Sequence, residues 1–160
     1  MQTLELVSSA GWARISLQGA QVLEAELQGQ PLLWVSPLAS HEPGKAVRGG
    51  VPVCFPWFGK HPAGLPAHGF ARNQVWTLLA QGADRVVLGL RDNEASRALW
   101  PHAFRLELTV RLDEALHFDF VVENLDSEPF DFSYALHSYF AVQDVRQCTV
   151  DGLSGRLRRE

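Results

Sequence analysis

The 160-residue chain sets 14 Lys and Arg against 18 Asp and Glu, for a formal net charge of -4 at pH 7, with 46% hydrophobic and 20% charged residues. This balance excludes a disordered chain, and it excludes a surface built to collect nucleic acid or anionic lipid, because both need clustered basic side chains. A single domain of this length buries about 68–70% of the surface of its unfolded chain, so one core is expected across residues 1–160.

Met1 to Ala10 carries Glu5 and no positive n-region ahead of an apolar run, so no signal peptide is expected. No apolar run is long enough to span a membrane as a helix. Cys54 and Cys148 form no metal or redox spacing, and the expectation is two buried free thiols in a cytoplasmic protein. The absence of an Asn-x-Ser/Thr acceptor agrees with that address.

Along the chain the hydrophobic pattern has mostly period two, broken by Gly, Pro, Asn and Asp, which predicts many short strands. Thr3 to Val7, Ala13 to Leu17 and Val22 to Leu27 read as the opening strands, followed by Leu32 to Val35 before Ser36-Pro37. From Leu38 to Leu65, proline and glycine are dense and alternation fades, which predicts a long irregular excursion of the functional kind. Strands are expected again at Val75 to Leu79, Arg85 to Leu90, Phe104 to Leu112, Leu116 to Glu123 and Phe130 to Phe140, the last three joined as a meander. A short helix around Asn93 to Leu99 is stopped by Pro101. The fold class is therefore all-β, a sandwich or part of one.

If Phe130 to Phe140 is a strand, alternation sends Phe130, Phe132, Tyr134, Leu136, Ser138 and Phe140 to the core. Asp131, Ser133, Ala135, His137 and Tyr139 then share the opposite face, with small side chains leaving room before the His137 imidazole. A lone histidine there also fits an ordinary hydrogen-bonded residue on a sheet surface. Its functional reading needs support from elsewhere in the chain.

That support lies in Arg48-Gly49-Gly50-Val51-Pro52-Val53-Cys54-Phe55-Pro56-Trp57-Phe58-Gly59, followed by Leu65-Pro66-Ala67-His68-Gly69-Phe70-Ala71-Arg72-Asn73. With Ala135-Leu136-His137-Ser138-Tyr139-Phe140 and Gly152-Leu153-Ser154-Gly155 in the same order, the chain resembles the hexose-6-phosphate mutarotase family of the aldose-1-epimerase superfamily. The resemblance covers the sequence up to Gly155 and corresponds to the N-terminal part of longer family members.

It implies a galactose mutarotase-like β-sandwich (a supersandwich), incomplete at the C-terminus, with a sugar bound in a concave cleft. It also implies that Arg48 and Arg72 contact substrate, that His68 lies by the sugar hydroxyls, and that His137 is the catalytic acid. These roles suit the side chains: a guanidinium forks onto a phosphate and stays charged, while a histidine can give and take a proton near neutral pH. Either arginine could instead brace its loop through carbonyls or a carboxylate. Trp57, Phe58 and Phe70 could face a pyranose or anchor the loop to the core. His41, His61, His102 and His117 read as ordinary strand or loop residues.

Interconverting anomers requires a general acid at the ring oxygen and a general base at the anomeric hydroxyl, with no metal or organic cofactor. In the resembled family the base is a glutamate in the C-terminal part of the longer chain. Here Arg156-Leu157-Arg158-Arg159-Glu160 stands after the Gly152 to Gly155 turn, and Glu160 is not expected to take that role. The expected partner is a small sugar phosphate, with self-association through an exposed sheet edge as a physical consequence of an incomplete sandwich. Two other readings remain at this point: a non-catalytic sugar-phosphate binding module, and a cupin-like metal enzyme, which would need a His-x-His spacing that is not there.

Overall fold

The computed structural model describes residues 1–152 and 155. Leu153 and Ser154 of the Gly152 to Gly155 turn, and the Arg156 to Glu160 run, lie outside the described residues. The architecture is all-β: two four-stranded antiparallel sheets and a short two-stranded ladder.

The first sheet orders β1 (Thr3–Ser8), β2 (Gly11–Ser16), β3 (Gln21–Leu27) and β4 (Gln30–Pro31) as neighbours in sequence. The second orders β6 (Thr77–Gln81), β7 (Arg85–Arg91), β8 (Phe104–Leu112) and β9 (Leu116–Asn124) in the same simple way. Between β7 and β8, helix α1 (Glu94–Leu99) starts at Asn93, whose side chain accepts from the Ser96 N–H while Ser96 Oγ accepts from the Asn93 N–H. This reciprocal cap explains why so short a helix forms here.

Alternation decides which face of each sheet is buried. In β8, Phe104, Leu106, Leu108, Val110 and Leu112 are sealed from solvent while the residues between them face outward. β1 and β2 pack across this face and bring Leu6, Ala13 and Ile15 into the same core. Phe55 lies at its centre, with ring centroids 5.5 Å from Trp100 and 5.6 Å from Phe104. Burying a ring of that size is among the largest single contributions a core offers.

The excursion from Leu38 to Leu65 carries little regular structure, yet part of it is sheet and core. β5 (Val53–Cys54) pairs antiparallel with β10 (Ala135–Leu136), setting Ala135 opposite Cys54 and Leu136 opposite Val53. Val51, Val53, Cys54 and Phe55 are all buried. Gly50 makes this possible: its φ is +60°, and a Cβ there would stand 2.1 Å from the Val22 carbonyl oxygen.

Several sequence expectations need correction. Leu32 to Val35 is not a strand; Leu33 and Val35 make isolated bridges to Phe140 and Gly49, and the regular pairing sits earlier, at Gln30–Pro31. The strand expected from Val75 starts at Thr77 and continues to Gln81 with a bulge. Phe130 to Phe140 is not one strand and does not extend the meander, because only Ala135–Leu136 forms a regular strand, paired with β5, and Phe140 adds an isolated bridge to Leu33. The face assigned to the core there stays largely open, with Phe132, Tyr134 and Phe140 at 42%, 55% and 63% exposure. Apolar alternation buries a face only where something covers it: Phe130 and Leu136 are partly buried against the core, whereas Phe132, although 5.4 Å from Phe55, is covered on one side only. Cys54 is buried as expected, whereas Cys148 is exposed.

Candidate active site

The β5–β10 ladder is what brings the two motif segments together. Beyond it, the His137 N–H donates to the Pro52 carbonyl at 3.0 Å and the Tyr139 N–H to the Gly50 carbonyl at 2.9 Å. On its other side the same segment receives the Trp34 N–H at the Tyr139 carbonyl, 2.9 Å away. His137 is thus threaded between the Arg48-Gly49-Gly50 run and the Leu32–Val35 stretch.

His68 reaches the same place from another direction. Its backbone is left-handed, with φ +67°, a conformation uncommon for a residue with a β-carbon. Gly69 follows at φ +70°, where a Cβ would meet the Phe55 carbonyl oxygen at 2.0 Å. This pair turns the chain sharply so that the Phe70 and Ala71 N–H groups both donate to that carbonyl. His68 Nδ1 then accepts the Gly59 N–H at 3.2 Å, which leaves the proton of neutral His68 on Nε2.

The two imidazoles stand with ring centroids 6.2 Å apart. Phe58 lies against both, 4.9 Å from His68 and 5.9 Å from His137, stacked on the latter at 28°. Tyr139 closes the far side of His137 at 4.8 Å. His137 Nδ1 is buried without a hydrogen-bond partner among the described residues, so none of them fixes its tautomer through that nitrogen.

Arg72 sits in a 3-10 turn, Ala71–Asn73, held to the core where the buried Trp76 donates its indole N–H to the Ala71 carbonyl at 3.0 Å. Its guanidinium donates to the Ala67 carbonyl at 2.9 Å, so Arg72 does brace the loop, and its Nε is buried with no hydrogen-bond partner among the described residues. Burial pushes the His68 imidazole below the ordinary histidine range, and the positive charges of Arg72 and His137 push it further. His68 is therefore a neutral Nε2–H donor near neutral pH. Burial likewise raises the Cys54 thiol, opposed by the nearby Arg72 charge, which marks it as unreactive.

Of the four residues expected to form a site, the structure brings His68, His137 and Arg72 into one cluster. Arg48 lies at the edge of the same ladder, exposed, and among the described residues its guanidinium makes no hydrogen bond or ion pair. Phe58 faces the imidazoles, while Phe70 is buried and Trp57 packs on the core with its indole N–H on the Pro66 carbonyl. His117 is tied to Asp113, holding that carboxyl at about 2, and His102 is tied to Asp126.

Sequence reading overlooked the residues that hold the loop itself. Gln21, buried, donates to the Val47 and Gly49 carbonyls at 3.1 and 2.6 Å. Gln18 bonds the Lys45 carbonyl at 2.6 Å and the Gly44 N–H at 2.8 Å. Ser133 Oγ accepts the Phe58 N–H at 3.0 Å. Two glutamines flanking the β2–β3 turn were the available signal, hidden because a turn glutamine ordinarily faces water.

A cavity of about 510 Å³ lies elsewhere, lined by Leu79, Gly89, Arg91, Asn93 and Arg105 among others. His68 and His137 are both half-buried, and the chemistry of the cluster is what marks it. No group of three or more potential metal ligands occurs among the described residues, and none of their helices is long and apolar enough to cross a membrane.

Comparison with known proteins gives the family and the fold. Residues 2–157 match the aldose 1-epimerase family. The chain belongs to that family. A relative from Escherichia coli strain K12, named "Putative glucose-6-phosphate 1-epimerase", is 42% identical over 91% of this chain and 50% of its own length. The crystal structure of a "putative mutarotase" from Salmonella typhimurium superposes with a TM-score of 0.79 at 36% identity, covering 89% of this chain and 49% of that one. A galactose mutarotase related enzyme from Lactobacillus acidophilus shares the fold, with a TM-score of 0.78 at 21% identity over 92% of this chain and 52% of its own. The chain spans about half the length of the curated relatives it matches, in keeping with the part-length resemblance of its motifs.

Proposed function

We propose that this chain carries the acid and anion-binding half of a site that interconverts the α and β anomers of a hexose 6-phosphate. The observation that carries the reading is the pairing of His68 and His137 at 6.2 Å beside Arg72, on a segment otherwise built from backbone hydrogen bonds. His137 donates a proton to the ring oxygen as the ring opens. His68, neutral and protonated at Nε2, donates a hydrogen bond to a sugar oxygen and holds the pyranose against Phe58. The guanidiniums of Arg72 and Arg48 attract the phosphate, since each is a permanently charged fork of donors. The phosphorylated hexose itself rests on the names of the relatives.

One observation favours a second reading, a sugar-phosphate binding module without catalysis. Among the described residues no carboxylate hydrogen-bonds or ion-pairs with His68 or His137. Anomer-exchange NMR on glucose 6-phosphate, read beside calorimetry with glucose 6-phosphate and plain glucose, separates the two. Exchange above the buffer rate, lost in His137→Gln, supports catalysis. Exchange at the buffer rate with phosphate-dependent binding supports the module, and equal weak affinity for both sugars overturns both.

A further inference from the structure

Away from the imidazole cluster, the cavity of about 510 Å³ is walled by residues 75–105: the β6–β7 hairpin, the cap of α1 and the start of β8. Gly89 is its floor. The bulge in β6 between Leu78 and Ala80 leaves Leu79 with no residue opposite and folds its side chain over that floor. A Cβ on Gly89 would stand 2.8 Å from Leu79 Cδ1, so a larger residue there would displace the leucine. Val75 and Leu79, 69% and 52% exposed, give the cavity an apolar wall.

The opposite wall is cationic. Arg91 and Arg105 stand directly across from each other in the β7–β8 register, both on the outer face of the sheet, where like charges repel. Glu123 on β9 pairs with Arg105 at 2.7 Å, but among the described residues the Arg91 guanidinium makes no hydrogen bond or ion pair. Among the described residues no carboxylate lines the cavity. Asp92 is held by Arg97 and by the Phe104 N–H, and Glu107 stands opposite Gly89 outside the lining. Asn93 uses its side-chain oxygen to accept the Ser96 N–H, which leaves its amide N–H groups as donors.

We propose that this cavity binds a small organic carboxylate, its oxyanion held between Arg91 and Arg105 and its apolar body laid on Val75 and Leu79. Two guanidinium forks and an amide, with no carboxylate beside them, select an anion. The exposed apolar wall selects one that carries a hydrocarbon group, because covering that wall removes apolar surface from water. The cavity shares no residue with the imidazole cluster, so this binding does not depend on the sugar chemistry proposed above.

The test is titration of the 160-residue chain with 3-phenylpropionate, followed by nitrogen-15 amide shifts. Saturable shifts are expected at Gly89, Arg91 and Asn93. Acetate and 3-phenylpropanamide, each lacking one half of the ligand, should bind about tenfold more weakly or worse. Arg91→Gln should weaken 3-phenylpropionate about tenfold and Arg91→Lys by less, while Leu79→Ala should weaken it and leave acetate unchanged. The proposal is overturned by the absence of saturable shifts at these residues, by an affinity unchanged in Arg91→Gln, or by 3-phenylpropanamide binding as well as the acid. Inorganic phosphate binding as tightly as 3-phenylpropionate also overturns it, by assigning the arginines to a bare anion.

Discussion

Residues 48–72 and residues 130–140 meet at one site but are held in opposite ways. The first stretch has little regular structure, yet it sinks Val51, Val53, Cys54, Phe55, Phe70 and Ala71 into the core. The second alternates apolar and polar residues through much of its length, yet only Ala135–Leu136 is strand, and Phe132, Tyr134 and Phe140 stay exposed. The contrast teaches that anchoring follows from satisfied backbone groups and from what lies above a side chain. Periodicity alone supplies neither.

Substitutions in the two regions should therefore separate sharply in urea unfolding. Phe55→Ala, which empties the centre of the core, is expected to cost about 3–5 kcal/mol. Gly50→Ala should cost about 3 kcal/mol or more, since its Cβ would stand 2.1 Å from a carbonyl oxygen and φ +60° disfavours any side chain. Gln21→Leu leaves the buried Val47 and Gly49 carbonyls without their donor, for a loss of about 1–3 kcal/mol, and loosens the loop that carries Arg48. Phe140→Ala, at 63% exposure, should change stability by no more than about 0.5 kcal/mol. A Phe140 effect approaching that of Phe55 would mean that residues 130–140 are covered in solution, and the contrast would fail.

The same contrast explains what could be read from the residues alone. The strands with a covered face, such as Phe104–Leu112, match their alternation because Leu6, Ala13 and Ile15 lie over them. His68, Arg72 and His137 were legible from motif order, and the structure gathers them. Their meeting depends on the Val53–Cys54 ladder, a pairing between segments about eighty residues apart that no local pattern announces. The bonds made by Gln18, Gln21 and Ser133 escaped notice for a related reason: each acts on backbone groups distant in sequence. Cys148 was misplaced because composition gives a burial preference, not a position.

Proton linkage follows from the depressed His68 value. The unfolded imidazole binds a proton at higher pH than the folded one, so His68 leaves stability intact above the ordinary histidine range. That stability declines as pH falls through that range toward the lower folded value.

The joining of the two regions is most directly tested by nitrogen-15 NMR titration of His68 in the wild-type chain, in Arg72→Gln and in His137→Gln. His68 should titrate below the ordinary value of 6.5 as an Nε2–H tautomer, rising in Arg72→Gln and, by less, in His137→Gln. A His68 that titrates at the ordinary value and ignores both substitutions would contradict a shared site.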